Sequence, residues 1–314
     1  MSADQAHNNV GHSEFEVLAR FFERSGSSGP GVLVGLGDDA AVVSIGNQRV
    51  ALCADALVDG VHFDVAYFSA ADLAAKAIAV NASDIAAMGA IPKYYLSTIA
   101  SGGNLDVEEI LVVMAEEARS HGALLVGGDL VSSGELNVSV SAVGVFEPGS
   151  AVLRRSGVRP GDVLLVTGPL GASARGLRGL REGDKSLSVA AREAHLRPRP
   201  QLTAGQLAAR LQAHAAIDVS DGLLADLEHM LVASGVGAEL GEIPRFDGAT
   251  PEEALYGGED YQLLIATDKP AELASAFQDE GLPRPFVIGR AVPAPLVRLL
   301  EGRRYRPGGY THRL

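Results

Sequence analysis

Residues 69–88 read SAADLAAKAIAVNASDIAAM, and this stretch decides the fold because it predicts a long helix. Ser69 and Asp72 have the spacing of a capping box, so the helix begins after Ser69 and extends to about Met88. Five residues share one face of this helix: Leu73, Ala77, Val80, Asn81 and Met88. Asp84 lies on the same, largely apolar face. A buried carboxylate needs a partner, so Asp84 is predicted to bind a cation.

Four short apolar runs elsewhere in the chain each lead to carboxylates and predict strands that deliver Asp at their far ends. Residues 32–34 precede Asp38 and Asp39, residues 50–54 precede Asp55, residues 123–126 precede Gly127-Gly128-Asp129, and residues 215–217 precede Asp218 and Asp221. Any one of these Asp residues would fit an ordinary turn or helix N-cap. The recurrence of the pattern indicates a common site.

If these strand ends converge, six carboxylates come together: Asp39, Asp55, Asp84, Asp129, Asp218 and Asp221. Two unit charges 4 Å apart repel by about 4 kcal/mol at an effective dielectric constant near 20, so the cluster requires cations. Oxygen ligands without a Cys or His cluster suit magnesium or calcium. Magnesium commonly bridges a few carboxylates and substrate phosphates, so the pattern predicts a magnesium and phosphate site.

Composition excludes several other classes of protein. The net charge of −13 and the pI of about 5.0 disfavour binding to nucleic acid or to an anionic membrane. Cys53 is the only cysteine, so neither an intrachain disulfide nor a Cys-type zinc site can form. No apolar run approaches the roughly 18 residues of a spanning helix, and no signal-peptide pattern is present. A soluble, cytoplasmic protein is therefore expected.

The order of predicted strands and helices indicates an α/β (α+β) protein with two domains. Residues 136–146 alternate apolar and polar side chains, as a half-buried strand does. The turn Glu147-Pro-Gly-Ser150 that follows predicts a boundary between domains 1–148 and 149–314. Residues 178–200 are charged and interrupted by Pro, which predicts a surface excursion. Four histidines, His62, His121, His195 and His214, are interpreted from composition alone as surface or hydrogen-bonded residues.

Eight stretches, taken in order, resemble the thiamine-monophosphate kinase family of the aminoimidazole-ribonucleotide-synthetase-like ATP-binding superfamily. They are Gly35-Leu-Gly-Asp-Asp39, Asp55 through His62-Phe63, Lys76 through Ala90, Gly127-Gly-Asp129, Arg155-Ser-Gly157, His195-Leu-Arg-Pro-Arg-Pro200, Ile217-Asp-Val-Ser-Asp-Gly222 and Gly257-Gly-Glu-Asp-Tyr261. The resemblance covers the chain from about Phe15 to Tyr310. It implies a two-domain α/β subunit that forms a homodimer through its N-terminal domains and binds ATP in a groove without a P-loop.

The resemblance also implies roles for individual residues. The six Asp residues named above correspond to magnesium ligands; Gly128, Asp129, Arg155 and Ser220 correspond to ATP contacts; His62, Glu259 and Tyr310 correspond to contacts with thiamine monophosphate. The implied reaction is direct transfer of phosphate from ATP to thiamine monophosphate. The nucleophile is the substrate's own phosphate, whose second pKa near 6 leaves it ionised. No general base or covalent nucleophile of the protein is therefore expected.

The sequence departs from the family pattern just before Asp55, where Cys53-Ala54 stands in place of hydroxyl residues. The resemblance therefore predicts no magnesium contact through those side chains, although their backbone carbonyls remain available. Strand alternation places Cys53 on the same face as Ala51 and Asp55. Within an apolar run, a thiol is expected to be inert.

Other functions within and outside the superfamily remain as alternatives. Aminoimidazole ribonucleotide synthetase is the nearest, although the stretch Gly257–Tyr261 favours the kinase. Selenophosphate synthetase requires an N-terminal Cys or selenocysteine and a hydrogenase-maturation dehydratase requires a C-terminal Cys, and this chain has neither. A non-catalytic nucleotide-binding scaffold is a further alternative, against which six intact carboxylates argue.

Overall fold

A computed structural model describes residues 29–103 and 105–312, together with Val17, Leu18, Arg20, Phe21 and Arg24. Within these ranges the chain forms thirteen strands in two mixed sheets and eight helices. The predicted α/β class is confirmed. None of the described helices combines the length and the apolar character needed to cross a membrane.

The first sheet contains six strands in the order β1-β2-β3-β6-β4-β5. Their bounds are β1 Val32–Val34, β2 Ala41–Ile45, β3 Gln48–Val58, β4 Ile91–Ser101, β5 Leu124–Ser132 and β6 Asn137–Val145. Neighbouring strands are antiparallel except for the parallel pair β4 and β5. Helices α1 (Ala70–Ala87) and α2 (Val107–Ser120) pack on one face of this sheet. The predicted alternation in β6 is confirmed, because every second residue is buried.

Helix α1 lies at the centre of the molecule. Its predicted capping box is present, since Ser69 and Asp72 exchange hydrogen bonds with each other's backbone. Every residue from Ala70 to Ala87 is buried except Ala71 and Asp84, because α1 packs on the first sheet on one side and on elements of the second half on the other. Gly205 of the second half lies so close that an added Cβ would be 2.0 Å from the Ala86 carbonyl oxygen.

The second sheet contains seven strands in the order β13-β12-β9-β11-β7-β10-β8. Their bounds are β7 Val163–Val166, β8 Ala215–Asp218, β9 Gly237–Leu240, β10 Leu263–Thr267, β11 Phe286–Val292, β12 Arg298–Leu300 and β13 Arg303–Arg304. The helices of this half are α3 Ala172–Glu182, α4 Val189–Leu196, α5 Leu202–Arg210, α6 Leu223–Ser234, α7 Pro251–Tyr256 and α8 Pro270–Asp279. Helix α6 covers one face of the sheet, and α5 and α8 cover the other.

The structure changes two expectations and leaves a third untested. Asp218 ends a strand as predicted, whereas Asp55 and Asp129 lie inside β3 and β5 because those strands continue past the apolar runs. Residues 178–200 do not form a mere surface excursion, since they complete α3 and form α4, where His195 is 2% exposed. The boundary between residues 148 and 149 stays a prediction, and residues 1–16 of the first predicted domain lie outside the described residues.

Candidate active site

A cavity of about 890 Å³ lies between the two sheets. Its walls include the loop between β1 and β2, residues 52–57 of β3, His62, and the C-terminal half of α1. The second half of the chain adds Arg155, residues of α3, the first turns of α6, the loop from β8 to α6, and residues 256–261 with 309–312. The cavity therefore joins residues that are far apart in the chain, and α1 forms its floor.

Three carboxylates meet at one end of the cavity. Asp39 from the loop after β1, Asp84 from α1 and Asp218 from the end of β8 each place an oxygen within 4.8 Å of the other two. Ser83 donates a hydrogen bond of 2.5 Å to Asp218 Oδ2. Asp55 also lines the cavity at this end. These four of the six predicted metal ligands are brought together by the fold.

Burial and mutual repulsion raise the pKa values at this acidic end. Burial, followed by the charges of Asp55, Asp218 and Asp39, holds the pKa of Asp84 well above its usual range. Burial and the Asp39 charge raise the pKa of Asp218 to about 8, and burial and Asp39 raise the pKa of Asp38 to about 6. Such shifts mark a place where negative charge lacks compensation.

Arg155 supplies part of the missing positive charge. Its Nε and Nη2 donate to Asp39 Oδ1 at 3.0 and 2.7 Å, and its backbone N–H donates to Asp38 Oδ1 at 3.0 Å. Asp39 Oδ2 is buried and has no hydrogen-bond partner among the residues that the structure describes. An orphaned oxygen beside Asp84 and Asp218, in a ligand set of oxygens alone, fits a hard divalent cation such as magnesium.

Ser220 and Asp221 line the cavity on a loop that the fold holds from several sides. Asp226 Oδ2 accepts hydrogen bonds of 3.0–3.1 Å from three consecutive backbone N–H groups, those of residues 220–222. The Ser220 carbonyl accepts from the N–H of Glu259 at 2.8 Å. An added Cβ at Gly258 would lie 2.4 Å from the same carbonyl oxygen, so only glycine permits this approach.

A cation and a carboxylate are paired at the opposite end of the cavity. Glu259, in a left-handed conformation with φ of 65°, forms an ion pair of 2.6 Å with Lys76 Nζ. Its other oxygen lies 3.3 Å from His195 Nδ1. Burial raises the pKa of Glu259, but the Lys76 charge and the hydrogen bond from His195 outweigh burial and lower the pKa to about 2. Glu259 is therefore ionised at neutral pH.

Aromatic rings form the outer part of this end. Tyr310 is 49% exposed, and its ring centroid lies 4.9 Å from that of His312. His312 is in turn 5.1 Å from His62, whose Nδ1 accepts a hydrogen bond from the Val58 N–H. The Tyr310 N–H donates to the Asp221 carbonyl at 3.0 Å, which ties residues 309–312 to the loop after β8. All three predicted substrate contacts, His62, Glu259 and Tyr310, thus line one cavity.

Gly128 and Asp129 do not line this cavity. They lie on the edge strand β5, where Asp129 pairs with Thr98 on the face of the first sheet opposite to α1. Asp55 points to the α1 side. Gly128 is required by the sheet itself, since a Cβ there would lie 1.7 Å from the Ser97 carbonyl oxygen.

Cys53 lies on the inward face of β3 with Ala51 and Asp55, as predicted, while Leu52 and Ala54 face outward. Its Sγ is 3.5 Å from the Asn81 carbonyl oxygen. Burial, with the Asp84 and Asp55 charges, raises the pKa of the thiol well above its usual value. A neutral thiol is a poor nucleophile and a poor magnesium ligand.

Three residues were given no role in the site from the sequence: Asp226, which lines the cavity, and Lys76 and His195, which lie behind Glu259. Lys76 offered a signal, because it is the only cation within an otherwise apolar stretch of helix. Asp226 follows Gly222 at the start of α6 and resembled an ordinary helix-start carboxylate. His195 begins one of the eight family stretches, but its burial depends on α4 packing against α3, which the sequence does not show.

Comparison with known proteins finds family matches in both halves of the chain. Residues 37–146 match the family described as AIR synthase related protein, N-terminal domain, and residues 159–300 match its C-terminal domain. Thiamine-monophosphate kinase of Mycobacterium tuberculosis is 37% identical over 304 residues, covering 93% of this chain and 89% of that protein. The Escherichia coli K12 protein of the same name is 40% identical over 275 residues, covering 80% and 82%.

Solved structures show the same relationship. A structure described as AaThiL complexed with AMPPCP and TMP has a TM-score of 0.84 and 30% identity and covers 99% of this chain and all of that one. The Escherichia coli hydrogenase maturation protein HypE, at 23% identity and a TM-score of 0.66 over 85% of each chain, shares the fold alone. The sequence resemblance is thereby confirmed: this chain belongs to the thiamine-monophosphate kinase family.

Proposed function

We propose that the chain transfers the terminal phosphate of ATP to thiamine monophosphate and forms thiamine diphosphate. One observation carries the proposal. A single cavity holds the uncompensated cluster of Asp39, Asp84 and Asp218 at one end and the paired Glu259 with the Tyr310 ring at the other. The first end suits cations with phosphates, and the second suits a cationic aromatic acceptor.

Asp39, Asp55, Asp84, Asp218 and Asp221 would hold magnesium ions, since all five line the cavity and offer only oxygen. Magnesium, when bound there, supplies positive charge between two phosphate groups that otherwise repel each other. The chain's own part is to fix these carboxylates on four separate segments: the loop between β1 and β2, β3, α1, and the end of β8 with the loop that follows it. Arg155 and Ser220, beside them, would contact ATP.

Glu259, His62 and Tyr310 would hold the acceptor. A thiazolium cation is attracted to the face of an aromatic ring, and Tyr310 presents its ring at the mouth of the cavity. An ionised Glu259 accepts hydrogen bonds from an aminopyrimidine. Direct transfer requires the two substrates to be held close together and in line, and we propose that this one cavity holds both.

The transfer needs no proton abstraction by the protein. The acceptor phosphate is already ionised near neutral pH, so positioning and charge compensation are sufficient. The raised pKa of Cys53 removes the nearest thiol as a nucleophile. We therefore propose a direct step without a phosphoenzyme.

We further propose that the chain acts as a homodimer that buries the face of the first sheet opposite to α1. Three rows of side chains cross that face: Leu52, Val143, Tyr94 and Leu124; Ala54, Ser141, Leu96 and Gly127; Ala56, Ser139, Thr98 and Asp129. Several of the apolar members, including Tyr94, Leu96 and Leu124, are more than 40% exposed in one chain. An apolar face of this kind favours association.

The dimer would also give Gly128 and Asp129 a role. Within one chain Asp129 lies on the opposite face of the sheet from Asp55 and cannot join the acidic end. It can serve a metal or ATP only if it approaches the cavity of a second copy.

Sedimentation at micromolar concentration should give twice 32.5 kDa for the native chain and a monomer for Leu96→Glu. A native monomer would contradict the proposal.

The reaction is tested by incubating the purified protein with ATP, magnesium and thiamine monophosphate. Thiamine diphosphate and ADP should form, and chelation of magnesium should stop the reaction. Free thiamine should be a poor acceptor, because its hydroxyl group would need a base. Efficient phosphorylation of thiamine, with thiamine monophosphate inert, would sink the assignment.

A further inference from the structure

Lys76 is completely buried, although it stands in a helix whose neighbouring residues are Ala, Ile and Val. Burying an ammonium group is costly, and an apolar side chain of similar volume in its place is often neutral or stabilising. Stability therefore does not explain why a lysine occupies this position. The contacts of its ammonium group explain it.

The Lys76 ammonium group joins two separate segments of the acceptor end. It donates to Glu259 Oε1 at 2.6 Å and to the backbone carbonyl of His62 at 2.9 Å. The Phe68 ring lies beneath it, 5.4 Å away. His62 belongs to the first half of the chain and Glu259 to the second, so one buried cation fixes both relative to α1.

His195 completes the environment of Glu259 from the other side. Its Nδ1 lies 3.3 Å from Glu259 Oε2 and 3.1 Å from Ser173 Oγ, and its ring packs edge-on against Phe68. Helix α4, which carries His195, is attached to the first turn of α1 by an ion pair of 2.6 Å between Arg197 and Asp72. Both oxygens of Glu259 are therefore held, one by Lys76 and one by His195, and these two contacts set the direction of the carboxylate.

We infer that Lys76 is a positioning residue for the acceptor: it holds Glu259 and the His62 segment in the arrangement that binds thiamine monophosphate and takes no part in the transfer itself. His195 assists from the second Glu259 oxygen. This inference rests on the proposed function and adds the residue that sets acceptor affinity. It predicts that a change at Lys76 alters the KM for thiamine monophosphate and not the KM for ATP.

The test is Lys76→Met, which keeps the volume and removes the charge. The KM for thiamine monophosphate should rise roughly tenfold, the scale of one charge-assisted contact, while kcat and the KM for ATP stay within about twofold. Ile78→Val is the matched control. It removes one methyl group from the same buried helix and should lower the Tm without changing either KM.

A double-mutant cycle separates positioning from a purely structural role. If Lys76 acts mainly through Glu259, then adding Lys76→Met to Glu259→Gln should raise the KM for thiamine monophosphate by less than about threefold further. The inference would be overturned if Lys76→Met raised the KM for thiamine monophosphate equally in the native and the Glu259→Gln backgrounds. It would also be overturned if Lys76→Met lowered kcat and left that KM unchanged. If Lys76→Met does not fold, His195→Asn tests the same arrangement. We expect His195→Asn to raise the KM for thiamine monophosphate by a smaller factor. No rise in that KM would overturn the inference.

Failure of this inference is distinguishable from failure of the proposed function. If the native enzyme phosphorylates thiamine monophosphate and Lys76→Met has native kinetic constants, only the inference falls. If the native protein neither binds nor phosphorylates thiamine monophosphate, the proposed function falls and the inference with it.

Discussion

At one end of the cavity Asp39, Asp84 and Asp218 face one another, whereas at the other end Glu259 faces Lys76 and His195. Burial acts on the carboxylates at both ends, yet the pKa of Asp218 is raised to about 8 and that of Glu259 is lowered to about 2. The difference lies in how much positive charge the protein supplies. Arg155 compensates the acidic end only in part, so that end has room for a metal cation from solution, whereas Lys76 already pairs with Glu259 at the other end.

The largest expected effect is at the acidic end. Asp84→Asn should lower kcat at least about a hundredfold, the scale of losing one strong electrostatic stabiliser. Its Tm without magnesium should be unchanged or higher, because the substitution removes repulsion from Asp39 and Asp218. Steady-state assays and melting curves, with the exposed Asp279→Asn as control, make the measurement. A large loss of Tm with full activity would show that Asp84 is structural.

The next effect concerns Arg155, the cation that contacts Asp38 and Asp39 at the acidic end. Arg155→Lys keeps the charge but loses the two-nitrogen contact with Asp39 Oδ1, so the KM for ATP should rise about tenfold. The neighbouring Arg154→Lys should leave it unchanged, since the Arg154 side chain donates to the Leu33 carbonyl, at 3.4 Å, and does not line the cavity. If the two variants have equal KM values for ATP, Arg155 does not contact ATP.

A smaller effect is expected from Cys53→Ser. The thiol is neutral and faces Asn81, so turnover at saturating magnesium should stay within about tenfold of the native value, or about 1.4 kcal/mol of barrier. Cys53→Ala, which removes the polar atom, should behave similarly. A folded but inactive Cys53→Ser protein would mean that the thiol takes part in the chemistry.

The smallest expected effect concerns how the contribution of Glu259 to the free energy of unfolding varies between pH 7 and pH 5. A carboxylate with a lowered pKa contributes stability that is complete above its unfolded pKa, near 4.5, and is lost as the pH falls towards the folded pKa, here about 2. The difference in free energy of unfolding between native protein and Glu259→Gln should therefore not narrow from pH 7 to pH 5, and protonation of His195, 3.3 Å from Glu259, would only widen it. Denaturant titrations check this, and a difference that already narrows in that range would show that Lys76 does not hold Glu259 ionised.

Patterns within one element were sufficient for much of the fold. The Ser69–Asp72 capping box, the alternation in β6 and the Asp that ends β8 were predicted and are present. Each depends on hydrogen bonding or periodicity within a few residues, which the sequence states directly. The family likewise followed from ordered motifs.

Tertiary structure decided how those elements meet. Period-two alternation places Asp55 and Asp129 on definite sides of their strands, but only the packing of α1 determines which side faces the cavity. Helix α1 is buried all round, so its composition could not reveal that Lys76 faces Glu259. The burial of His195 needs α4 packed on α3. The sequence by itself determined the local elements and the acidic motifs, and packing alone decided which charges are compensated, because compensation depends on distances between segments remote in the chain.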